Sequence, residues 1–481
     1  MFGIRPVFHI LGWVVCWTGT MLLAPAFVDL ANRNVDWKIF ALTAAVTLFV
    51  GVSTILSTHS PGTLKLNYRQ AYLVIVLGWI FVSFFGAIPF LGTGIGITDS
   101  VFESMSGITT TGSTVLTDLD SLPPGLLLWR AILQWIGGIG IIAIAVLIMP
   151  FLHVGGMQLF KIESSDPFQD KVAPMLKTLR FLAEVYVFLT GACALIYYVL
   201  GMSGLDAITH AMSTLSTGGF STHDASFGYF KDLRLHWAAI FFMIAGAIPF
   251  LLYVKATLGN VRALFTDQQV RGFLIFLAII SLAMALWLME QRDIGAIEAL
   301  TLTTFNITSV VTTTGFASDD YTAWGPGAVA VFLVLMFVGG CSGSTTGAIK
   351  IYRFQVIIIY IRGYLKRLYS PNRVVPLKYN GHILSNDVPL SVLAFLSVFV
   401  ATIALFTIIL GVLGLDIVTA YSASVTAITN VGPGMGTIIG PAGNFEALPD
   451  TAKWVLIVAM LAGRLEVLVL LVTLDPDFWR I

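Results

Sequence analysis

Charge is scarce in this chain. Asp, Glu, Lys and Arg make up 11% of its 481 residues, against about 25% in a soluble domain. The 26 basic and 26 acidic residues cancel, which leaves no basic surface for nucleic acid. Cysteine is nearly absent. Cys16, Cys193 and Cys341 lie among apolar or small residues, and an odd, sparse set builds neither a disulfide framework nor a zinc site. The seven histidines show no metal-ligand spacing. No clustered catalytic His, Asp or Ser points to an enzyme. What the chain has instead is apolar length, with 57% of its residues hydrophobic.

A membrane helix needs about 20 mostly apolar residues. Ten segments qualify, near 6–28, 37–57, 70–91, 125–152, 178–201, 236–260, 271–290, 325–368, 389–413 and 452–474. Arg5 precedes a long apolar stretch with no A-x-A-like cleavage site, which reads as an uncleaved first helix. An even number of spans puts both termini on one side. With the N-terminus cytoplasmic, 18 basic residues fall inside, including Lys65, Lys161, Lys171, Lys350 and Arg353. Seven fall outside, including Arg130 and Lys453. That bias places both termini in the cytoplasm.

Four stretches between spans, about 98–116, 205–222, 294–318 and 415–436, begin with an apolar segment too short to cross a bilayer. Each ends in a polar turn centred on glycine: TTTGS (109–113), LSTGG (215–219), TTTGF (312–316) and TNVGP (429–433). Aligned on Gly112, Gly218, Gly315 and Gly432, the turns are 106, 97 and 117 residues apart, the mark of an internal repeat. The fold expected is an all-α integral membrane protein. Two N-terminal helices (1–60) precede four helix–pore-loop–helix repeats around a pseudo-fourfold pore. The repeats span 61–155, 156–265, 266–370 (with a broken second helix) and 371–481. Non-helical backbone at membrane depth must be enclosed by protein or line a water-filled cavity. Glycine lets successive carbonyls turn toward one axis, where four loops would replace the hydration shell of a cation. The short helices would aim their partly negative C-termini at the same point.

At these loops the sequence resembles the Trk/Ktr/HKT superfamily of potassium transporters, and its bacterial TrkH-type branch most of all. The matches are TTTGSTVL (109–116), STGGFST (216–222), TTTGFA (312–317), TNVGPGMG (429–436) and GRLE (463–466), and they span essentially the whole chain. The resemblance implies a selectivity filter with one glycine per repeat, carried here by Gly112, Gly218, Gly315 and Gly432. The wider set expected to contact potassium adds Thr110, Thr111, Ser113, Thr217, Gly219, Thr314, Phe316, Asn430 and Val431. In plant relatives a serine at the first glycine position goes with sodium transport, so Gly112 favours potassium. The resemblance also implies homodimers in the bacterial inner membrane, a cytosolic ring of nucleotide-binding TrkA subunits, and no organic cofactor. An alternating-access cation symporter is the competing reading, since such folds also use broken helices.

Two features suggest gating. The span at 325–368 is interrupted by GGCSGSTTG, 339–347. Four glycines in nine residues break a helix, each costing about 1 kcal/mol against alanine. Gly339, Gly340, Ser342, Gly343, Ser344 and Gly347 are expected to form a flexible intramembrane loop that blocks the conduit. A small-residue packing seam is the alternative. Arg464 lies eleven residues past Lys453, about 16 Å along a helix, near mid-membrane. A cation there is a functional candidate, either as a barrier below the filter, as an anchor for the loop, or as an arginine satisfied by backbone carbonyls. Glu466 does not share its helix face and is expected to pair elsewhere. Asp99, Asp206 and Asp416 are expected to cap the short helices, and Glu184 to face protein. Asp118, Asp120, Asp319 and Asp320 fall in outer loops.

Overall fold

The computed structural model describes residues 4–60, 66–147, 172–385 and 387–480. The expected repeat boundaries at 60/61 and 155/156, and Lys65, Lys161 and Lys171 of the charge count, touch or lie outside them.

Helices dominate. Helices α1 (Arg5–Met21) and α2 (Leu23–Ala31) continue one another, and α3 (Trp37–Thr58) returns. Helix α4 (Tyr68–Gly92) leads to a short α5 (Ile97–Ile108), then α6 (Pro124–Leu147). Helix α7 (Val172–Val199) leads to a short α8 (Gly204–Leu215), then α9 (Leu233–Ala247) and α10 (Phe250–Thr257). After α11 (Arg262–Thr266), α12 (Gln268–Arg292) leads to α13 (Ala296–Val311), α14 (Pro326–Leu335) and α15 (Ile351–Tyr369). Finally α16 (Asp387–Val412) leads to α17 (Ile417–Thr429), α18 (Gly436–Ile439), α19 (Asp450–Arg464), α20 (Leu468–Leu474) and α21 (Pro476–Trp479). Among the described residues, seven helices are long and apolar enough to cross a membrane, or nine if each of two bent pairs counts as one span.

Local chemistry sets the helix starts. Asn67 Oδ1 accepts from the Gln70 N–H, and Gln70 Oε1 accepts from the Asn67 N–H, a reciprocal cap that opens α4. Asp267 accepts from the N–H groups of Gln269 and Val270 at the head of α12. Long helices are apolar on both sides. Helix α16 buries Val392, Phe395, Phe399 and Ile403 and exposes Leu390, Val400, Leu405 and Ile408. Such an outer face has no place in water and suits hydrocarbon. Helices α1 and α3 meet at small residues, where a Cβ on Gly51 would press on Cys16, as lipid-embedded helices do.

The glycine-rich stretch breaks its span as expected. Helix α14 ends at Leu335, β1 (Val338–Gly339) pairs in parallel with β2 (Ile349–Lys350), and α15 starts at Ile351. Two further breaks were not anticipated. Helices α9 and α10 meet at 91°, and α19 and α20 at 109°. The first falls at Pro249, which lacks the N–H to continue a helix. At the second, Glu466 and Val467 adopt left-handed φ of 57° and 54°.

Several charges also sit elsewhere than expected. Arg130 and Lys453, counted outside, are buried helical residues, and Lys350 and Arg353, counted inside, are buried too. Glu184 does not face protein; it is half-exposed and pairs with Arg180. Of the three aspartates, Asp416 alone occupies the capping position. Ser203 caps α8, and Asp99 pairs with Lys453 at 2.6 Å.

Candidate functional site

The short helices α5, α8, α13 and α17 all end in the same way. The residue after the C-cap, or the C-cap itself in α17, takes a left-handed φ: Thr110 at 51°, Thr217 at 52°, Thr313 at 55° and Asn430 at 55°. The next residue donates its N–H to a carbonyl five residues back: Thr111 to Ser106, Gly218 to Ser213, Thr314 to Ser309 and Val431 to Thr426, at 2.8–3.1 Å. These are the bonds that close a helix through a left-handed residue. A threonine held there costs about 1–3 kcal/mol. Asparagine tolerates it better, which accounts for the divergence at 430.

The residue after that is a left-handed glycine: Gly112 (φ 85°), Gly219 (78°), Gly315 (82°) and Gly432 (107°). This corrects the register of the second loop. Gly218, aligned with Gly112 by motif, stands one residue early, and Gly219 is the backbone equivalent.

The four loops close into a ring. A Cβ on Gly112 would collide with the carbonyl oxygen of Gly218, one on Gly219 with that of Thr314, and one on Gly315 with that of Val431. One on Gly432 would come to 2.7 Å from that of Thr111. Each glycine therefore faces the same carbonyl of the next loop, and the fourth faces the first. Ser113 Oγ donates to the Gly432 carbonyl at 2.8 Å, and Asn430 Nδ2 donates to Thr111 Oγ1 at 2.9 Å, tying loops one and four. A pocket open above the ring is lined by Gly112, Gly219, Gly315 and Gly432 together. Phe316 stands apart from its expected role. Its carbonyl accepts from Ser309 Oγ at 2.7 Å, and its ring is buried against Phe227.

Behind the ring is a polar brace that motif reading missed. Glu103 of α5, fully buried, accepts from the Val115 N–H, Thr114 Oγ1 and Arg130 Nε. Arg130 Nη1 donates to the Ser221 carbonyl at 2.8 Å, and its guanidinium lies 4.2 Å from the Phe220 ring centre. One turn along α6, Gln134 Nε2 donates to the Gly218 carbonyl at 2.6 Å, and its Oε1 accepts from the Phe220 N–H at 3.0 Å. The available signal was polar side chains inside apolar helices, each a functional candidate by its cost.

Beneath the ring lies the 339–347 stretch, largely buried. It was expected to be flexible, yet it is held on several sides. The Cys341 N–H donates to the Ala247 carbonyl, Thr345 Oγ1 to those of Leu215 and Gly246, and the Gly347 N–H to Thr313 Oγ1. The Ala348 N–H donates to the Thr429 carbonyl at 2.9 Å. The loop thus abuts the lower ends of α8, α13 and α17. Arg464 donates from Nη1 to the Thr345 carbonyl at 2.9 Å and from Nη2 to that of Gly137 at 3.2 Å. Lys350 Nζ bonds the Thr346 carbonyl and its Oγ1. Glu466 pairs with Arg353 at 2.6 Å, elsewhere than Arg464, as the helix geometry predicted.

On the open side of the ring, His223 bridges Asp120 and Asp206 and stacks on Tyr229. Burial opposes its charge, but hydrogen bonds to Asp206 and Asp120 outweigh burial and raise its pKa above the ordinary value. The same hydrogen bond holds the Asp120 carboxyl below the usual range.

Apolar spans, broken helices and a backbone-lined ring define a multi-pass helical membrane protein. A family model described as "TrkH: Cation transport protein" matches residues 37–480. The chain is 45% identical to the Trk system potassium uptake protein TrkI of Halomonas elongata, covering 99% of this chain and 97% of that one. It is 36% identical to TrkH of Escherichia coli K12 over 99% of each. Its fold is similar to the crystal structure of the potassium transporter TrkH from Vibrio parahaemolyticus, with a TM-score of 0.91 and 34% identity over the full length of both. The chain belongs to the TrkH family of cation transport proteins.

Proposed function

We propose that this chain takes up potassium across the bacterial inner membrane through a channel-like pore. In this reading the four segments from 61 to 481 are repeats around a pseudo-fourfold axis. Both termini are cytoplasmic. Main-chain oxygens of residues 110–111, 217–218, 313–314 and 430–431 replace the hydration shell of the ion, with Gly112, Gly219, Gly315 and Gly432 permitting the turn. The 339–347 loop lies across the conduit below, held by Arg464, and opening requires it to move. The chain works as a homodimer with a cytosolic TrkA-type subunit, the arrangement that its resemblance to the family implies.

The observation that carries this reading is the ring: four loops, far apart in sequence, each present the same carbonyl to the next glycine. A helix C-terminus points at each loop, adding negative potential, and no charged side chain occurs within 109–113, 215–219, 312–316 or 429–433. Backbone oxygens in a water-poor site suit a weakly hydrated monovalent cation. The test is flux into proteoliposomes with potassium and sodium compared in the same preparation. Potassium well ahead of sodium, with ohmic single-channel currents, is the expected result. Equal rates for both ions would overturn the filter. Saturating, low-turnover transport without channel currents would favour the alternating-access reading.

A further inference from the structure

The four loops are alike in backbone and unlike in one side chain. Before the left-handed glycine, loops one and three carry threonine, loop four carries valine, and loop two carries Gly218. In three loops that side chain stiffens its own carbonyl. Thr111 Oγ1 bonds Thr109 Oγ1 and receives Asn430, Thr314 Oγ1 bonds Thr312 Oγ1, and Val431 is β-branched and fully buried. Loop two has two glycines in succession, the least restrained backbone available.

Gln134 of α6 stands where the missing side chain would be. A Cβ on Gly218 would overlap Gln134 Cδ, with Oε1 and Cγ also within contact. The amide then grips the loop on both sides of Gly219, donating to the Gly218 carbonyl and accepting from the Phe220 N–H. Among the described residues no side chain bonds the carbonyls of Thr111, Thr314 or Val431, the three equivalents of Gly218. Both ends of this amide are used, and Gln134 is fully buried, so water does not compete for them.

We propose that Gln134 is a specificity-determining positioning residue, a side chain supplied in trans by α6 that fixes the Gly218 carbonyl in the ion-binding ring. It presupposes the filter role proposed for the ring. Discrimination between monovalent cations depends on keeping the oxygens at a set spacing and field. Without the brace the Gly218–Gly219 backbone gains freedom, and its carbonyl can follow a smaller ion inward.

The test is the potassium-to-sodium permeability ratio, from reversal potentials of the full chain in planar bilayers. Gln134→Met keeps the volume and removes both hydrogen bonds. Gln134→Leu likewise removes both hydrogen bonds and keeps an apolar side chain of similar size. Each is expected to lower the ratio roughly fivefold, the worth of about one hydrogen bond. Gly218→Thr alone is expected to clash with Gln134. Gly218→Thr combined with Gln134→Ala builds into loop two the arrangement of loops one and three, and is expected to restore the ratio. A simple structural role would not produce that rescue. Variants that conduct less but keep the wild-type ratio would overturn the proposal, as would failure of both single Gln134 variants to assemble, which would make Gln134 a folding residue. If wild type itself fails to favour potassium, the filter reading fails instead; if wild type is selective and the variants equally so, the role of Gln134 alone fails.

Discussion

The ring and the layer beneath it are built on opposite principles. The ring is fourfold in kind: four left-handed residues, four left-handed glycines and four carbonyls facing the next loop. The layer beneath has one loop, from one span, and one arginine, from another. Coordination of a symmetric ion favours equivalent oxygens around an axis. A barrier has no such demand, and one movable segment suffices. The difference also shows in their supports. Loops one and two of the ring are backed by buried side-chain pairs. The lower loop is held by hydrogen bonds to backbone and hydroxyl groups, each worth about 0.5–1.5 kcal/mol, and by the charged donors of Arg464 and Lys350, each worth about 1.5–3 kcal/mol, a scale on which a two-state element can be biased.

The sharpest break of this contrast lies in the second loop. Gly219→Ala puts a Cβ into the Thr314 carbonyl at a left-handed φ, so potassium uptake in a transport-deficient host is expected to fall to background. Gly218→Ala keeps an ordinary φ and meets the Gln134 side chain rather than backbone, so Gln134 must shift and measurable uptake is expected to remain. Equal loss in both would undo the register assignment. Next comes Arg130→Met, which strands the buried Glu103 carboxylate behind loop one. Losing one partner of a buried pair costs about 3–5 kcal/mol, to be read as a lower unfolding midpoint in detergent.

The lower layer is expected to respond in the opposite sense. On the proposed gating role, removing Ser342–Thr346 is expected to raise flux about tenfold, the effect of lowering a barrier by about 1.4 kcal/mol. A fall in flux with intact assembly would make the loop a packing element. Arg464→Ala removes two hydrogen bonds and a positive charge and leaves the loop in place. A rise of a few-fold in potassium permeation is expected, smaller than that of the deletion.

Residue by residue, the ring was more legible in sequence than its surroundings. Short apolar segments ending in Thr-Gly turns located α5, α8, α13 and α17, because a helix too short to cross a bilayer has few other places to go. One slip was at Gly218 and Gly219, where adjacent glycines make a motif alignment degenerate and only φ separates them. The break at 339–347 was written in its glycines. The break at Glu466 and Val467 had no such mark, since neither is a glycine although both take a positive φ. The pairs Glu103–Arg130, Asp99–Lys453 and Arg353–Glu466 join residues 27, 354 and 113 positions apart. No local pattern encodes such partners, which is why these pairs were not legible in the sequence.

The smallest effect expected comes from the rim on the open side of the ring, where His223 links the loop after the first ring segment to the start of α8 through Asp120 and Asp206. Its pKa is raised in the folded protein, so its stabilisation is fully present below the unfolded value of about 6.5 and is lost as pH rises through the folded value. The Asp120 carboxyl is shifted the other way. Its share holds above about 3.9 and fades only as pH falls below that. The link is therefore intact from mildly acid to neutral pH and weakens on the alkaline side. Asp120 is about half exposed, and solvent screening limits the contribution to less than about 1 kcal/mol. The unfolding midpoint of wild type is expected to drop slightly from pH 6 to pH 9, and that of His223→Gln to change less. An identical drop in both would remove His223 from the rim's stability, leaving the ring and the layer beneath it as described.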